Sequence, residues 1–127
     1  MPAEEQEQLR IPCRRQEIPA FEEEDARTYL GEHPPLYTLF GTRPKVGSVS
    51  FLSVSEVAAR LARWRPRQSL VSLLGERALV CLVELRGPFQ IHDPLRPLGR
   101  VVPIFSRLYL LFDASDGRLL TWVPADQ

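Results

Sequence analysis

The sequence predicts an α+β domain in which a capped helix packs on an antiparallel sheet of about four to five strands, with an additional short N-terminal helix. Three observations support this prediction: a capped amphipathic segment near the middle of the chain, a long apolar run at residues 79–86 and an apolar hairpin pattern at residues 104–123. A chain of 127 residues suits one domain with its own core. No apolar run approaches the roughly 20 residues that span a bilayer.

The clearest predicted helix begins after Ser53. Ser53 is a favourable N-cap, and Glu56 three residues later completes a capping box. Four apolar residues then follow the spacing of one helical face, namely Val54, Val57, Ala58 and Leu61. Because proline disfavours helix in the residue before it, Pro66 predicts that the helix stops by Trp64 or Arg65.

The strongest predicted strand covers residues 79–86, whose apolar run is long enough for both faces to be covered. Residues 104–112 and 118–123 form the next two predicted strands, joined by a tight turn at residues 115–117. Gly117 follows a turn-forming Ser-Asp pair, so we expect it to adopt a positive φ. A proline-rich loop is predicted at residues 92–103.

Two weaker strands are predicted earlier in the chain. Residues 36–40 and 46–52 flank a Gly-Thr-Arg-Pro sequence that is typical of a turn. Both faces of the predicted sheet are apolar. The capped helix can cover one of them, and either the N-terminal helix or a second chain can cover the other.

Residues 1–20 are predicted to be a polar tail, and residues 21–127 a single α+β domain. The tail is rich in Glu, Gln and Arg and contains two helix-breaking prolines. A short helix is predicted at residues 22–30, because acids crowd its first turn and Gly31 stands at its expected end. The start of the chain lacks a secretory signal. We therefore expect a cytoplasmic protein if Met1 is native, and a secreted one if Met1 was added to a mature form.

Charge is distributed unevenly along the chain. Residues 1–32 hold nine acids and four bases, whereas residues 33–100 hold ten bases and four acids. The most concentrated stretch is an arginine patch around one tryptophan, formed by Arg60, Arg63, Trp64, Arg65 and Arg67. Three interpretations stay open: a helix end with Trp64 packed on the sheet, a surface that contacts a protein, and a nucleic-acid site. A net charge of zero disfavours the third.

The ionisable residues form no pattern typical of catalysis. His33 and His92, like Cys13 and Cys81, are scattered and lack the spacing of metal ligands. Cys81 lies inside the apolar run, where a thiol behaves as a small buried hydrophobe. Glycine-rich phosphate loops and nucleophile elbows are absent from the sequence. We therefore expect no enzymatic activity, no cofactor and no metal.

The end of the chain resembles a known family. Residues 108–120, LYLLFDASDGRLL, are similar to the closing hairpin of PepSY-like domains. The chain also resembles small uncharacterised proteins of Chloroflexi-type bacteria, through an acidic helix like residues 22–30, a Phe-Leu-x-x-x-Glu-Val segment at 51–57 and an Arg-Gly-Pro-Phe at 86–89. The resemblance implies a bacterial binding module and supplies no catalytic residues.

Two functions follow as expectations. The first is a non-catalytic, PepSY-like protein-interaction module whose partner is another protein or a second copy of this chain. The alternative is an accessory or structural subunit of a larger complex, which docks through its N-terminal tail and arginine patch. In both, Arg60, Arg63, Trp64, Arg65 and Arg67 are the candidate interaction residues.

Overall fold

The computed structural model describes residues 9–90 and 104–125, which form three helices and one antiparallel sheet. In chain order the elements are α1 (Glu23–Glu32), β1 (Lys45–Leu52), α2 (Val54–Arg60), α3 (Arg67–Leu74), β2 (Val80–Gln90), β3 (Ile104–Asp113) and β4 (Leu119–Ala125). The predicted α+β class is therefore confirmed. Within the described ranges, no helix is long and apolar enough to cross a membrane. The predicted loop at residues 92–103 lies outside these ranges.

The four strands lie side by side in chain order, each antiparallel to the next. Because side chains alternate across a strand, the apolar run of β2 serves two cores at once. Cys81, Val83 and Leu85 pack on the α1 side of the sheet. Val80 and Leu82 pack on the opposite side, against α2 and α3. The continuous apolar run in the sequence thus reflects a strand that is covered on both faces.

Helix α1 occupies the region where the sequence predicts a short N-terminal helix. The Asp25 carboxylate accepts a hydrogen bond of 2.8 Å from the backbone N–H of Glu22, which satisfies one free donor at the helix start. Ala26 and Leu30 are buried in the core on this side of the sheet. The second apolar face of the sheet is therefore covered by the chain's own helix, without a second chain.

The prediction of a strand at residues 36–40 is wrong. This segment instead forms a turn in which Thr38 N–H donates to the carbonyl of Thr42 and Gly41 N–H donates to the carbonyl of Thr38. Gly41 has a φ of 78°, a conformation that glycine adopts without strain. These two hydrogen bonds lie within the turn, and Leu39 N–H donates to the carbonyl of Pro88 on β2 without forming the ladder of a paired strand. The sheet of the described chain has four strands, the lower of the two predicted numbers.

The predicted cap of α2 is confirmed. The Ser53 hydroxyl accepts from Glu56 N–H at 3.2 Å, and the Glu56 carboxylate accepts from Ser53 N–H at 2.9 Å. The helix ends at Arg60, which agrees with the prediction that it stops by Trp64 or Arg65. Helix α3, which the sequence analysis does not predict, follows Pro66 directly and buries Leu70 and Leu74. Both helices pack on the same face of the sheet.

The described part of the predicted tail, residues 9–20, lies against the turn between β3 and β4. Ile11 is fully buried in the core and donates its N–H to the carbonyl of Gly117 at 2.8 Å. Ala20 donates its N–H to the carbonyl of Ala114, also at 2.8 Å. Gly117 has a φ of 79°, as the turn sequence predicts. We call residues 9–20 the N-terminal strap, because they are hydrogen-bonded at both ends to this hairpin.

Asp113 stabilises the same hairpin through an ion pair and two hydrogen bonds. Its carboxylate accepts from the N–H and hydroxyl of Ser115 at 2.8 and 2.5 Å, and from Arg77 Nε at 2.8 Å. Burial raises the pKa of Asp113, but these donors outweigh burial and hold the pKa below its ordinary value. The charged form of Asp113 is therefore stabilised by folding.

This arrangement predicts an acid-sensitive hairpin. A carboxylate whose pKa is lowered on folding contributes stability above its unfolded pKa of about 4, and loses it as the pH falls through the folded value. We expect the melting temperature to fall as the pH is lowered below about 4, and the variant Asp113→Asn to show a smaller fall. Thermal unfolding measured between pH 2 and pH 7 tests this, and an unchanged slope in the variant would contradict it.

Candidate functional site

The predicted arginine patch forms the junction between α2 and α3, and we call it the arginine corner: Arg60, Arg63, Trp64, Arg65 and Arg67. Leu61 fixes its backbone, because its carbonyl accepts from the N–H groups of Trp64 and Arg65, both at 3.0 Å. The Leu61 side chain is fully buried against the sheet. The buried Leu61 side chain thus anchors the backbone bend on which the side chains of the corner lie.

Trp64 is half-buried and packs on the sheet, as one of the three interpretations predicts. Its ring centroid lies 5.6 Å from that of Tyr109 on β3. The guanidinium groups of Arg107 and Arg63 lie 5.3 and 5.7 Å from the Trp64 ring, within the range of cation–π attraction. Its Nε1 is buried and has no hydrogen-bond partner among the described residues. The ring therefore connects the corner to the sheet.

The arginines of the corner differ in how they are paired. Arg65 donates to the Thr121 hydroxyl at 3.0 Å, which ties the corner to β4. Arg60, Arg63 and Arg67 are exposed, and no carboxylate within residues 9–90 and 104–125 forms an ion pair with them. Six other arginines do have carboxylate partners: Arg14, Arg15, Arg27, Arg77, Arg86 and Arg107. The corner therefore has three guanidinium groups that lack a carboxylate partner in the described chain, one of which, Arg63, lies over the Trp64 ring.

A row of bases that no sequence pattern predicts crosses three strands beside the corner. Lys45 on β1 is the register partner of Arg86 on β2, which in turn is the partner of Arg107 on β3. Like charges directly opposite one another destabilise a sheet. One buried carboxylate offsets this, since Glu84 lies 3.5 Å from both Arg86 and Arg107. Only the strand register brings these bases together, so no signal in the sequence could have identified the row.

The described histidine and cysteines form no catalytic group with one another. The His33 ring stacks on Tyr29 with centroids 4.5 Å apart, and its Nδ1 lies 3.2 Å from the Tyr29 carbonyl. Cys81 is buried, and this burial raises the pKa of its thiol to about 12. Cys13 is exposed on the N-terminal strap, whereas His92 lies outside the described residues. Across the described ranges, no three His, Cys, Asp or Glu side chains are grouped to hold a metal ion.

Comparison of the chain with family models, with curated proteins and with solved structures finds no match in any of the three. We therefore infer a function from the chemistry of the surface around the arginine corner. This surface has two distinctive features, which are the arginines of the corner that lack a carboxylate partner in the described chain and the row of bases next to them.

Proposed function

We propose that this chain is a non-catalytic protein-interaction module that binds an acidic segment of a partner protein through its arginine corner. The observation that carries the proposal is that Arg60, Arg63 and Arg67 are exposed without a carboxylate partner in the described chain. Guanidinium groups bind carboxylates in a planar, two-pronged geometry, so a cluster of them suits an acidic peptide. The resemblance to PepSY-like domains, which implies a binding module, supports the same function.

The surroundings of Trp64 favour a protein partner over a nucleic acid. Aromatic side chains that bind single strands offer a free ring face on which a base can stack. The Trp64 ring is half-buried and already contacts Tyr109 and Arg107. The chain also has no net charge, which weakens binding to an extended polyanion.

The alternative function, docking through both the tail and the arginine patch, has less support. Arg14 and Arg15 of the N-terminal strap already pair with Asp25 and Glu22, at 2.6 and 3.2 Å. Ile11 is buried in the core. The described part of the tail is thus engaged within the chain, and it lies on the α1 side of the sheet rather than beside the corner.

Photo-crosslinking from the corner tests this proposal. A benzophenone amino acid placed at Ala62, an exposed neutral position between Arg60 and Arg63, should capture a discrete protein in extracts of the source cells. The same group at Thr28, exposed on α1 across the sheet, should not capture it. Raising the salt from about 0.1 to 0.5 M should reduce the yield, because salt screens exposed charges.

Arginine variants provide the matched controls. Replacing Arg60, Arg63 and Arg67 together by Ser should weaken binding of the captured protein by about tenfold or more, since each exposed charge pair contributes up to about 1 kcal/mol. Arg118→Ser removes a charge from an exposed site that pairs with the N-terminal strap at Arg10, and it should leave binding unchanged. An adduct that nuclease destroys, or a triple variant that binds like the parent, would overturn the proposal.

A further inference from the structure

Three large apolar side chains within four residues of one turn are exposed to solvent. Phe40 is 77% exposed, Tyr37 is 52% exposed and Leu39 is 43% exposed. We call these three residues the apolar turn. Single exposed apolar residues are common, but a cluster of large ones marks a surface that contacts something apolar.

Thr38, which lies between Tyr37 and Leu39, holds the apolar turn in a fixed shape. The Thr38 hydroxyl accepts from the N–H groups of Phe40 and Thr42, at 3.3 and 3.2 Å, and lies 2.6 Å from the Thr42 hydroxyl. Leu39 donates its N–H to the carbonyl of Pro88 on β2 at 2.8 Å, which fastens the turn to the sheet. The exposure of Phe40 is therefore built into the fold, and little conformational freedom would be lost on binding.

Bases surround the apolar turn. Arg43 and Lys45 follow it directly and are exposed, and Arg86, the register partner of Lys45, is exposed two residues before Pro88. The acid nearest in sequence is Glu32, at the end of α1, and Glu84 lies 3.5 Å from Arg86 and offsets part of its charge. The Arg43 guanidinium also donates to the carbonyl of Gly31 at 2.5 Å, so this base is held in place beside the turn. The turn thus combines a protruding apolar tip with a cationic base.

We propose that the apolar turn is a contact site for an anionic membrane surface, into whose headgroup region Phe40 and Leu39 insert. A protruding tip requires no complementary pocket, and Tyr and Phe are favourable residues at the boundary between headgroups and acyl chains. Arg43, Lys45 and Arg86 would then lie at the level of the anionic headgroups, each adding to the attraction. The inference uses Lys45 and Arg86 of the row beside the corner but none of Arg60, Arg63 and Arg67, on which the proposed function rests.

Co-sedimentation with lipid vesicles tests this inference. We expect the intact chain to bind vesicles of phosphatidylcholine and phosphatidylserine in a ratio of 7:3 more strongly than vesicles of phosphatidylcholine alone. Leu39→Ser and Phe40→Ser should each weaken this binding by about tenfold, because each removes a large apolar group from the inserted tip. We expect each variant to remain folded, because the hydrogen bonds of the turn involve backbone atoms and Thr38 rather than the replaced side chains. Circular dichroism checks this.

Leu73 provides a matched control, because it is 43% exposed on α3, the same fraction as Leu39. Leu73→Ser should bind vesicles like the parent chain. Equal losses in Leu39→Ser and Leu73→Ser would overturn the inference, as would the absence of any preference for the anionic vesicles. If Phe40→Ser instead abolishes a concentration-dependent dimer while vesicle binding is unchanged, the turn is a contact between copies, and the membrane proposal is wrong.

Discussion

Gly117→Val is expected to lower the free energy of unfolding by about 3 to 5 kcal/mol, because two costs combine at this position. Gly117 has a φ of 79°, a conformation that β-branched residues rarely adopt. A Cβ atom added there would also overlap the carbonyl oxygen of Ile11. The N-terminal strap would have to move away, and the burial of Ile11 would be lost with it. Denaturant unfolding of the parent and the variant measures the difference.

Gly41 allows the two costs to be separated. It has nearly the same φ, 78°, but an added Cβ atom would have no neighbour within 4 Å. Gly41→Ala should therefore cost only the backbone strain, about 1 kcal/mol or slightly more. Gly117→Ala should cost clearly more than that, since it adds the overlap with Ile11. Equal costs for the two alanine variants would show that the strap does not press on the hairpin.

Much of the fold could be predicted from the sequence because its signals are local. The capping box of Ser53 and Glu56 lies within four residues, and the Ser-Asp-Gly turn before β4 lies within three. The apolar run of β2 is continuous because each face of that strand meets its own core. Each of these patterns follows from short-range geometry or from burial alone, so tertiary contacts reinforce them.

The two errors in the fold arise where one local pattern fits two structures. Pro66 ends a helix on its N-terminal side, but the fixed φ of proline also suits the start of a helix, and α3 begins immediately after it. The segment at residues 36–40 is rich in apolar and aromatic residues, which is typical of a strand. Its Thr38 hydroxyl closes a turn instead, and this choice depends on Pro88, which lies far away in the sequence.

Only part of the candidate site could be predicted from the sequence. The arginine corner could be identified, since its members are close together in the chain. The row formed by Lys45, Arg86 and Arg107 could not, because its members are brought together by strand register. That register is shifted by an irregularity in β1 between Val46 and Ser48. The apolar turn could not be predicted either, because its residues have the composition of a strand.

Leu61→Ala carries the second large expected effect. Leu61 is fully buried and packs with Leu70 and Leu82 in the core between the sheet and the helices α2 and α3. Removing a buried leucine side chain costs about 2 to 5 kcal/mol, because the lost contacts are added to the cost of a cavity. We expect the same variant to alter Trp64 fluorescence, since the cavity would let the backbone at Leu61 shift, and the Leu61 carbonyl accepts the hydrogen bonds from the Trp64 and Arg65 N–H groups. Chemical unfolding and the emission spectrum measure the two effects.

Arg60→Ala is the control on the adjacent residue. The Arg60 side chain is exposed and forms no ion pair within the described chain, so its loss should change stability by no more than about half a kcal/mol. If both variants lost the same stability, α2 would have to be rotated from its observed position. A large loss in Leu61→Ala alone would instead show that one buried side chain holds the arginine corner in place. The three free arginines would then depend for their arrangement on the apolar core beneath them.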